Sequence, residues 1–158
     1  MNLERYGSLA FFKGLCAADL QLLAPFFAPQ TWVAGTIIFE QGDYAEYLYM
    51  VVSGEVTIHY KPEDGPAMTV TRVQPGGIFG WSAAINNPAY TSGATCSLDS
   101  EVLRIRGSDL RALCDKHAEL GKFIFDRLAG VIAERKQARQ GPVTSMLATE
   151  MRQSSKKS

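Results

Sequence analysis

The sequence predicts a mainly β fold, a jelly roll (double-stranded β-helix) with α-helices flanking it on the N-terminal and C-terminal sides. Three observations predict it. From Trp32 to Arg106 the chain is rich in Val, Ile, Tyr, Phe and Thr in short runs, punctuated by Gly35, Gly42, Gly54, Gly65, Gly76, Gly77, Gly80 and Gly93, the close turn spacing of a sandwich or roll. Inside that stretch Val56, Ile58 and Tyr60 alternate with Glu55, Thr57 and His59, and Leu103 and Ile105 alternate with Arg104 and Arg106, which is the strand period with one dry face. On either side the apolar period lengthens to that of a helix. With 158 residues, 46% hydrophobic and 20% charged, the chain can bury one sizeable core, which implies a single domain.

Taken in order, residues 1–30 form a helical segment: Leu20, Leu23, Ala24 and Phe27 fall at i, i+3, i+4 and i+7, and Pro25 and Pro29 place its end nearby. The β-roll occupies 31–107. Its run YLYMVV at 47–52 is apolar without alternation, as expected of a strand covered on both faces, although periodicity alone leaves a short buried helix open. KPEDGP at 61–66 supplies fixed φ and a permissive backbone before MTVTRV, which reads as a hairpin with an exposed tip.

Closing helices are expected over 108–141. Ser108 is suited to the N-cap and Asp109 to the first turn, while Leu110, Leu113, Cys114 and His117 share a face. In the next segment Leu120, Phe123, Ile124, Phe125, Leu128, Val131 and Ile132 cover roughly 200° of the wheel, where a surface helix needs a little over about 100°. That surplus predicts two burial partners for the 118–139 helix, the sheet and a second chain, either in a homodimer or in a partner protein. Gly141-Pro142 breaks the helix, and residues 142–158 read as a flexible polar tail.

Sixteen basic and sixteen acidic residues cancel, so no whole-protein field favours DNA, RNA or anionic lipid. From Arg127 onward there are seven basic and two acidic residues, either a solvated helix end or a contact for an anionic protein or nucleic acid. No run approaches the roughly 20 apolar residues that span a bilayer, and the N-terminus lacks a basic leader before an apolar stretch. Cys16, Cys96 and Cys114 are odd in number and far apart. The expectation is a soluble cytoplasmic chain.

Enzymatic chemistry finds little support. The two histidines, His59 and His117, are separated, His59 on the outward positions of a strand and His117 on a helix, so no shared metal is expected. No serine elbow, phosphate-binding loop or paired Cys–His spacing is present. Cys96 reads either as a reactive thiol or as a small buried apolar residue. No catalytic residue, metal or cofactor is predicted.

The run GTIIFEQGDYAEYLYMVVSGEV at 35–56 resembles the cyclic-nucleotide-binding domain of bacterial regulators, kinase regulatory subunits and gated channels, with its glycine, apolar pair, Gly42-Asp43, apolar run and Gly54. LAFFKGLCAADLQLLAPFF resembles the family's opening helices, and VLRIRGSDLRALCDKHAELGKFIFDRLAGVIAER its last strand and closing helices. The resemblance covers roughly 8–139 and implies a jelly roll whose final helix often forms a dimer seam. Too few residues follow that helix for a DNA-reading domain, so none is expected.

The resemblance also places the ligand site in a cassette, IFGWSAAINNPAYTSGATC at 78–96, with Phe79, Gly80, Trp81, Ser82, Ala83, Ser92, Gly93, Ala94 and Thr95 as the residues facing a ligand. The chain departs from the family there. Trp81 stands where nucleotide-binding members carry a glutamate for the ribose 2′-hydroxyl, and Ser92 where they carry an arginine for the cyclic phosphate. From Trp81 to Leu98 there is no charged side chain, and a buried phosphate without counter-charge costs several kcal/mol. Backbone amides near Ser82, Ser92 and Thr95 would offer only a modest nest.

Arg72, the nearest cation by sequence, reads as a solvent-facing strand residue. Trp81 either fills the space of the missing contact or offers a stacking platform. Ser82, Asn86, Asn87, Tyr90, Thr91 and Ser92 could line a neutral polar site, and Asn86-Asn87-Pro88 also reads as a turn.

Together these imply a stand-alone regulatory or sensor module without its own effector domain, binding a small molecule, a cyclic nucleotide weakly or not at all or another metabolite, and signalling through its closing helices. The alternative is a structural protein–protein interaction module that has lost its pocket. A cupin-like metalloenzyme is a distant third.

Overall fold

A computed structural model describes Tyr6 and residues 9–140 of the chain; the predicted tail at 142–158 lies outside the described residues. A 3-10 turn at Ala10–Phe12 leads into helix α1, Ala17–Leu23, and a second 3-10 turn at Ala24–Phe26. Phe27, expected on the helical face, instead opens strand β1, Phe27–Trp32. Pro25 sits in the first positions of the 3-10 turn, where its missing N–H costs nothing. Pro29 is accommodated because β1 is an edge strand, paired only with β8.

The roll continues through β2 (Ile37–Phe39), β3 (Tyr47–Ser53), β4 (Val56–Tyr60), β5 (Met68–Val73), β6 (Ile78–Phe79), β7 (Gly93–Cys96) and β8 (Ser100–Arg106). They form two four-stranded antiparallel sheets, ordered β1-β8-β3-β6 and β2-β7-β4-β5. The KPEDGP segment is the tip between β4 and β5, which pair from Val56↔Val73 to Tyr60↔Met68. Gly54 turns β3 into β4 at φ +89°, and a Cβ there would lie 2.8 Å from Ser100 Cα, so both the dihedral and the space require glycine.

Two apolar clusters flank the first sheet. Between the sheets lie Phe39, Tyr49, Val51, Val56, Ile58, Phe79 and Val102. On the sheet's other side Leu48, Met50, Ile78, Leu103 and Ile105 meet Phe12, Leu23 and the closing helices. β3 is therefore covered on both faces, which is why its run shows no alternation. β8 is central as well: Arg104, expected on a wet face, is half-buried opposite Tyr49 with its guanidinium 4.1 Å from the centre of the Tyr47 ring. Each fully buried aliphatic side chain contributes about 1.5–3 kcal/mol relative to exposure.

β8 runs without a loop into α2, Gly107–Lys116, so the helix starts one residue before the Ser108 cap expected from sequence, with Arg106 at the N-cap and no side-chain cap bond. His117 closes α2, and α3 spans Ala118–Gln140. Along α3, Leu120, Ile124 and Leu128 are buried at i, i+4 and i+8. Phe123, Phe125 and Val131 pack half-buried on the same cluster. Arg127 donates to the carbonyls of Phe11 (3.2 Å) and Lys13 (2.7 Å) and lies 4.6 Å from the centre of the Phe123 ring. Much of the wide apolar arc is thus covered within the chain.

Candidate functional site

The cassette joins β6 to β7. Gly80 leaves β6 at φ +77°, a left-handed position where a Cβ would meet the Tyr47 carbonyl at 3.1 Å and the Tyr49 ring at 3.2 Å. A three-residue 3-10 helix, Trp81–Ala83, follows, with Ser82 and Ala83 buried. Asn86 then takes φ +60°, a conformation asparagine tolerates, and Asn87 Oδ1 accepts from the Ala89 amide at 3.3 Å. So Asn86-Asn87-Pro88 is a turn. The returning arm is strapped to the 42–45 turn: Gly42 donates to the Tyr90 carbonyl (2.9 Å), Tyr90 to Asp43 (2.9 Å) and Ala45 to Pro88 (3.0 Å).

Tyr90 re-enters the roll and fills it. Its ring stacks on Phe39 at 3.6 Å with 12° between planes, and Tyr49 stacks on Phe79 at 5.0 Å and 8°. The Tyr90 hydroxyl donates to the Tyr47 carbonyl at 2.6 Å and accepts from the Tyr47 amide at 3.0 Å. Burial raises the pKa of Tyr90 well above that of an ordinary tyrosine, and burial likewise raises that of Tyr49, against the pull of Arg104 beside it. A neutral polar lining was one reading of the Tyr90 hydroxyl; in the structure that group is consumed by the backbone.

What remains inside is a cavity of about 20 Å³ bounded by Phe39, Phe79, Gly80, Trp81, Tyr90 and Ser92. That is room for a water molecule and not for a nucleotide. Across Trp81, Ser82, Thr91 and Ser92 opens a second chamber of about 290 Å³, completed by Ile58, Tyr60, Val70, Ile85 and Asn87, with Ile132 of α3 on its wall.

The residues expected to face a ligand are divided. Phe79, Gly80, Trp81, Ser82 and Ser92 border the small cavity, and Trp81, Ser82 and Ser92 also border the chamber. Ala83 borders neither space: it is buried in the cluster between the sheets, its carbonyl accepts a bond from Arg111 of α2, and a Cβ on Gly107 would overlap that carbonyl. Ala94 is fully buried between the sheets. Gly93 and Thr95 point to the outer face, where His59 lies over Gly93 and its Nε2 is 3.1 Å from Thr95 Oγ1. His59, expected in solvent, is held half-buried because glycine opposite leaves its ring a seat. β7 is paired on both sides, with β2 and β4, which commits backbone around Thr95 to the ladders instead of to an anion nest.

Phe39, Ile58, Val70, Ile85 and Ile132 are site residues that sequence reasoning missed. All but Ile85, which lies in the cassette itself, come from distant elements, and none carries a local signal beyond being apolar.

No cation reaches this site from Arg72. Its side chain is 64% exposed, pairs with Glu55 at 3.5 Å, and borders a different groove, of about 670 Å³, beside Arg127 and Val131. Glu55 has a lowered pKa because Gln74 and Ser97 donate to its carboxylate at 3.0 Å each. Cys96 is buried and its thiol pKa is raised by that burial, the behaviour of a small apolar residue. Among the described residues no group of three His, Cys, Asp or Glu side chains is placed to hold a metal, and no helix is long and apolar enough to cross a membrane.

The sequence pattern of the cyclic nucleotide-binding domain matches residues 29–117. The chain is 29% identical over 124 residues to a cyclic AMP receptor protein of Thermus thermophilus, an alignment covering 78% of this chain and 56% of that one. It is 23% identical over 140 residues to a CRP-like cAMP-activated global transcriptional regulator of Mycobacterium tuberculosis, covering 89% and 61% respectively. The chain therefore spans a little over half the length of these relatives. A crystal structure of a candidate cyclic nucleotide-binding protein from Geobacter metallireducens superposes with a TM-score of 0.76 at 28% identity, over 85% of this chain and 98% of that one.

Proposed function

The chain belongs to the cyclic nucleotide-binding domain family, and from that premise we propose that it is a regulatory or sensor module whose cassette binds a small ligand other than a cyclic nucleotide and signals through α2 and α3. One observation carries the reading. No charged side chain stands between Trp81 and Leu98, so neither the cavity of about 20 Å³ beside the Phe39–Tyr90 stack nor the chamber of about 290 Å³ across the same cassette meets a phosphate with a counter-charge. Of the two readings of Trp81, its half-buried packing against the helix-side cluster supports the filler.

The route to the helices is short. The Ala83 carbonyl is gripped by Arg111, and Gly107 lies against the same group, so a shift of the 3-10 helix must be answered at the start of α2. A ligand biases that equilibrium only by binding the two arrangements differently. Titration calorimetry with cyclic AMP, cyclic GMP and cyclic dinucleotides tests the proposal: dissociation constants far weaker than about 1 μM are expected, and a value at or below that overturns it.

The α3 helix is the proposed seam of a homodimer or partner contact, since Phe125 and Ile132 stay half-exposed after the core is served. If the parent sediments as a dimer, Phe125→Asp is expected to halve its mass, and an unchanged mass rejects the seam.

The closed inner roll supports a second reading, a docking module that takes no small ligand. A ligand selective for the folded state must raise the melting temperature. Failure of every small molecule to do so would support docking.

A further inference from the structure

The chamber between the cassette and α3 differs from the filled interior in size and in chemistry. At about 290 Å³ it sits at the lower edge of the roughly 300–1,000 Å³ typical of small-molecule sites, enough for one ring system. Its walls come from four separate parts of the fold: Ile58 and Tyr60 on β4, Val70 on β5, the cassette, and Ile132 on α3. None of the residues bordering it carries a formal charge. Its polar groups are hydroxyls and one amide, those of Tyr60, Ser82, Thr91, Ser92 and Asn87, set in a surface otherwise made by aliphatic side chains and Trp81.

Two physical consequences follow from that lining. An anion placed there would lose its hydration with no side-chain cation to replace it, whereas a hydroxyl or carbonyl would find donors and acceptors of matching strength. Ile85, half exposed at 50% on the rim, adds apolar surface at the mouth and carries the apolar lining out to solvent.

We propose that this chamber binds an uncharged, largely apolar small molecule of one ring system bearing one or two hydroxyl, carbonyl or ring N–H groups, with Ile132 of α3 closing one side of it. The proposal rests on the sensor reading above and deepens it by naming the ligand class. Because the wall includes α3 itself, occupancy acts on that helix directly as well as through Ala83 and Arg111.

The test uses the full chain and matched probes: indole, its charged counterpart 3-indoxyl phosphate, and cyclic AMP, followed by NMR at the Trp81 indole N–H and the Ile132 methyls. Indole is expected to shift both signals and to bind at least about tenfold tighter than the phosphate ester. Ile132→Trp, which fills the chamber, should weaken indole at least about tenfold. Ser92→Arg, at a half-buried bend on the chamber wall, should reverse the order in favour of the phosphate ester and keeps the test decisive if the first variant does not fold.

Equal or tighter binding of 3-indoxyl phosphate to the parent would overturn the ligand class while leaving a ligand-occupied sensor standing. Absence of any shift with indole up to its solubility limit would overturn the chamber as a site. Cyclic AMP binding near 1 μM would overturn both this inference and the reading beneath it.

Discussion

Arg111, on the second turn of α2, donates a guanidinium hydrogen bond to the backbone carbonyl of Ala83 in the cassette. The same carbonyl lies so close to Gly107 that no Cβ fits between them. Arg111→Ala is expected to cost about 1–2 kcal/mol by leaving that carbonyl short of a donor. Gly107→Ala should cost about 1–3 kcal/mol through overpacking. Urea unfolding of the two single variants and the double variant checks both, and a clear departure from additivity is expected because the two changes share a partner.

Tyr90→Phe keeps the stacked ring and removes the hydroxyl that serves both the amide and the carbonyl of Tyr47. Two part-buried backbone groups then lose that partner, so a loss of about 1–3 kcal/mol is expected in denaturant unfolding. A neutral result would mean that water replaces the hydroxyl in the small cavity beside it.

Gly54→Ala forces a side chain onto a left-handed backbone and into Ser100. The two penalties together predict at least about 2 kcal/mol of destabilisation, measured by the shift in the unfolding midpoint. Gly42→Ala is the control, since its φ of +93° is similar but a Cβ there has open space around it.

Glu55 titrates lower in the folded protein than in the unfolded chain, first because Gln74 donates to it and then because Ser97 does. A depressed carboxyl stabilises the fold above the unfolded value, about pH 4.3, and that contribution disappears as the pH falls through the folded value. Glu55→Gln should therefore flatten the acid limb of a melting-temperature profile below about pH 4.5. The wild-type slope persisting in the variant would reject this assignment.

Three cysteines should separate by reactivity. Cys16 is exposed, while Cys96 and Cys114 are buried, and burial pushes the Cys114 thiol up to about 11. Under native conditions one thiol is expected to react quickly with a disulfide reagent at pH 8, and all three after unfolding. Fast native labelling at Cys96 would show that β7 opens more readily than its pairing on both sides implies.

Much of the architecture was legible because it is written locally. The alternation at 55–60 and the apolar face of 120–128 carry their own periods and the turn residues at 61–66 their own backbone preference, and each became the element implied; the run at 47–52 has no period, and its pairing with β8 and β6 makes it a strand. Arg104 and His59 were not legible. Alternation gives each strand one dry face, but whether the other face is wet depends on what packs against it: Arg104 shares the inter-sheet face with Val102 and Tyr49 under the Tyr47 ring, and the bare backbone of Gly93 seats His59 on the outside. Phe27 fits a helical period and is nonetheless a strand, because β8 is available to pair with it.

For the site, the order of residues alone sets the chemistry on offer: a stretch with a tryptophan, hydroxyls and side-chain amides and no ionised side chain over 81–98. Composition is additive along the chain and needs no fold to be read. Where the space lies is settled by long-range packing. It set Tyr90 against Phe39 and closed the inner roll, and it brought Ile132 from α3 over a chamber walled by β4, β5 and the cassette. Cavities are what remains after distant side chains have packed, and that remainder is a property of all of them together.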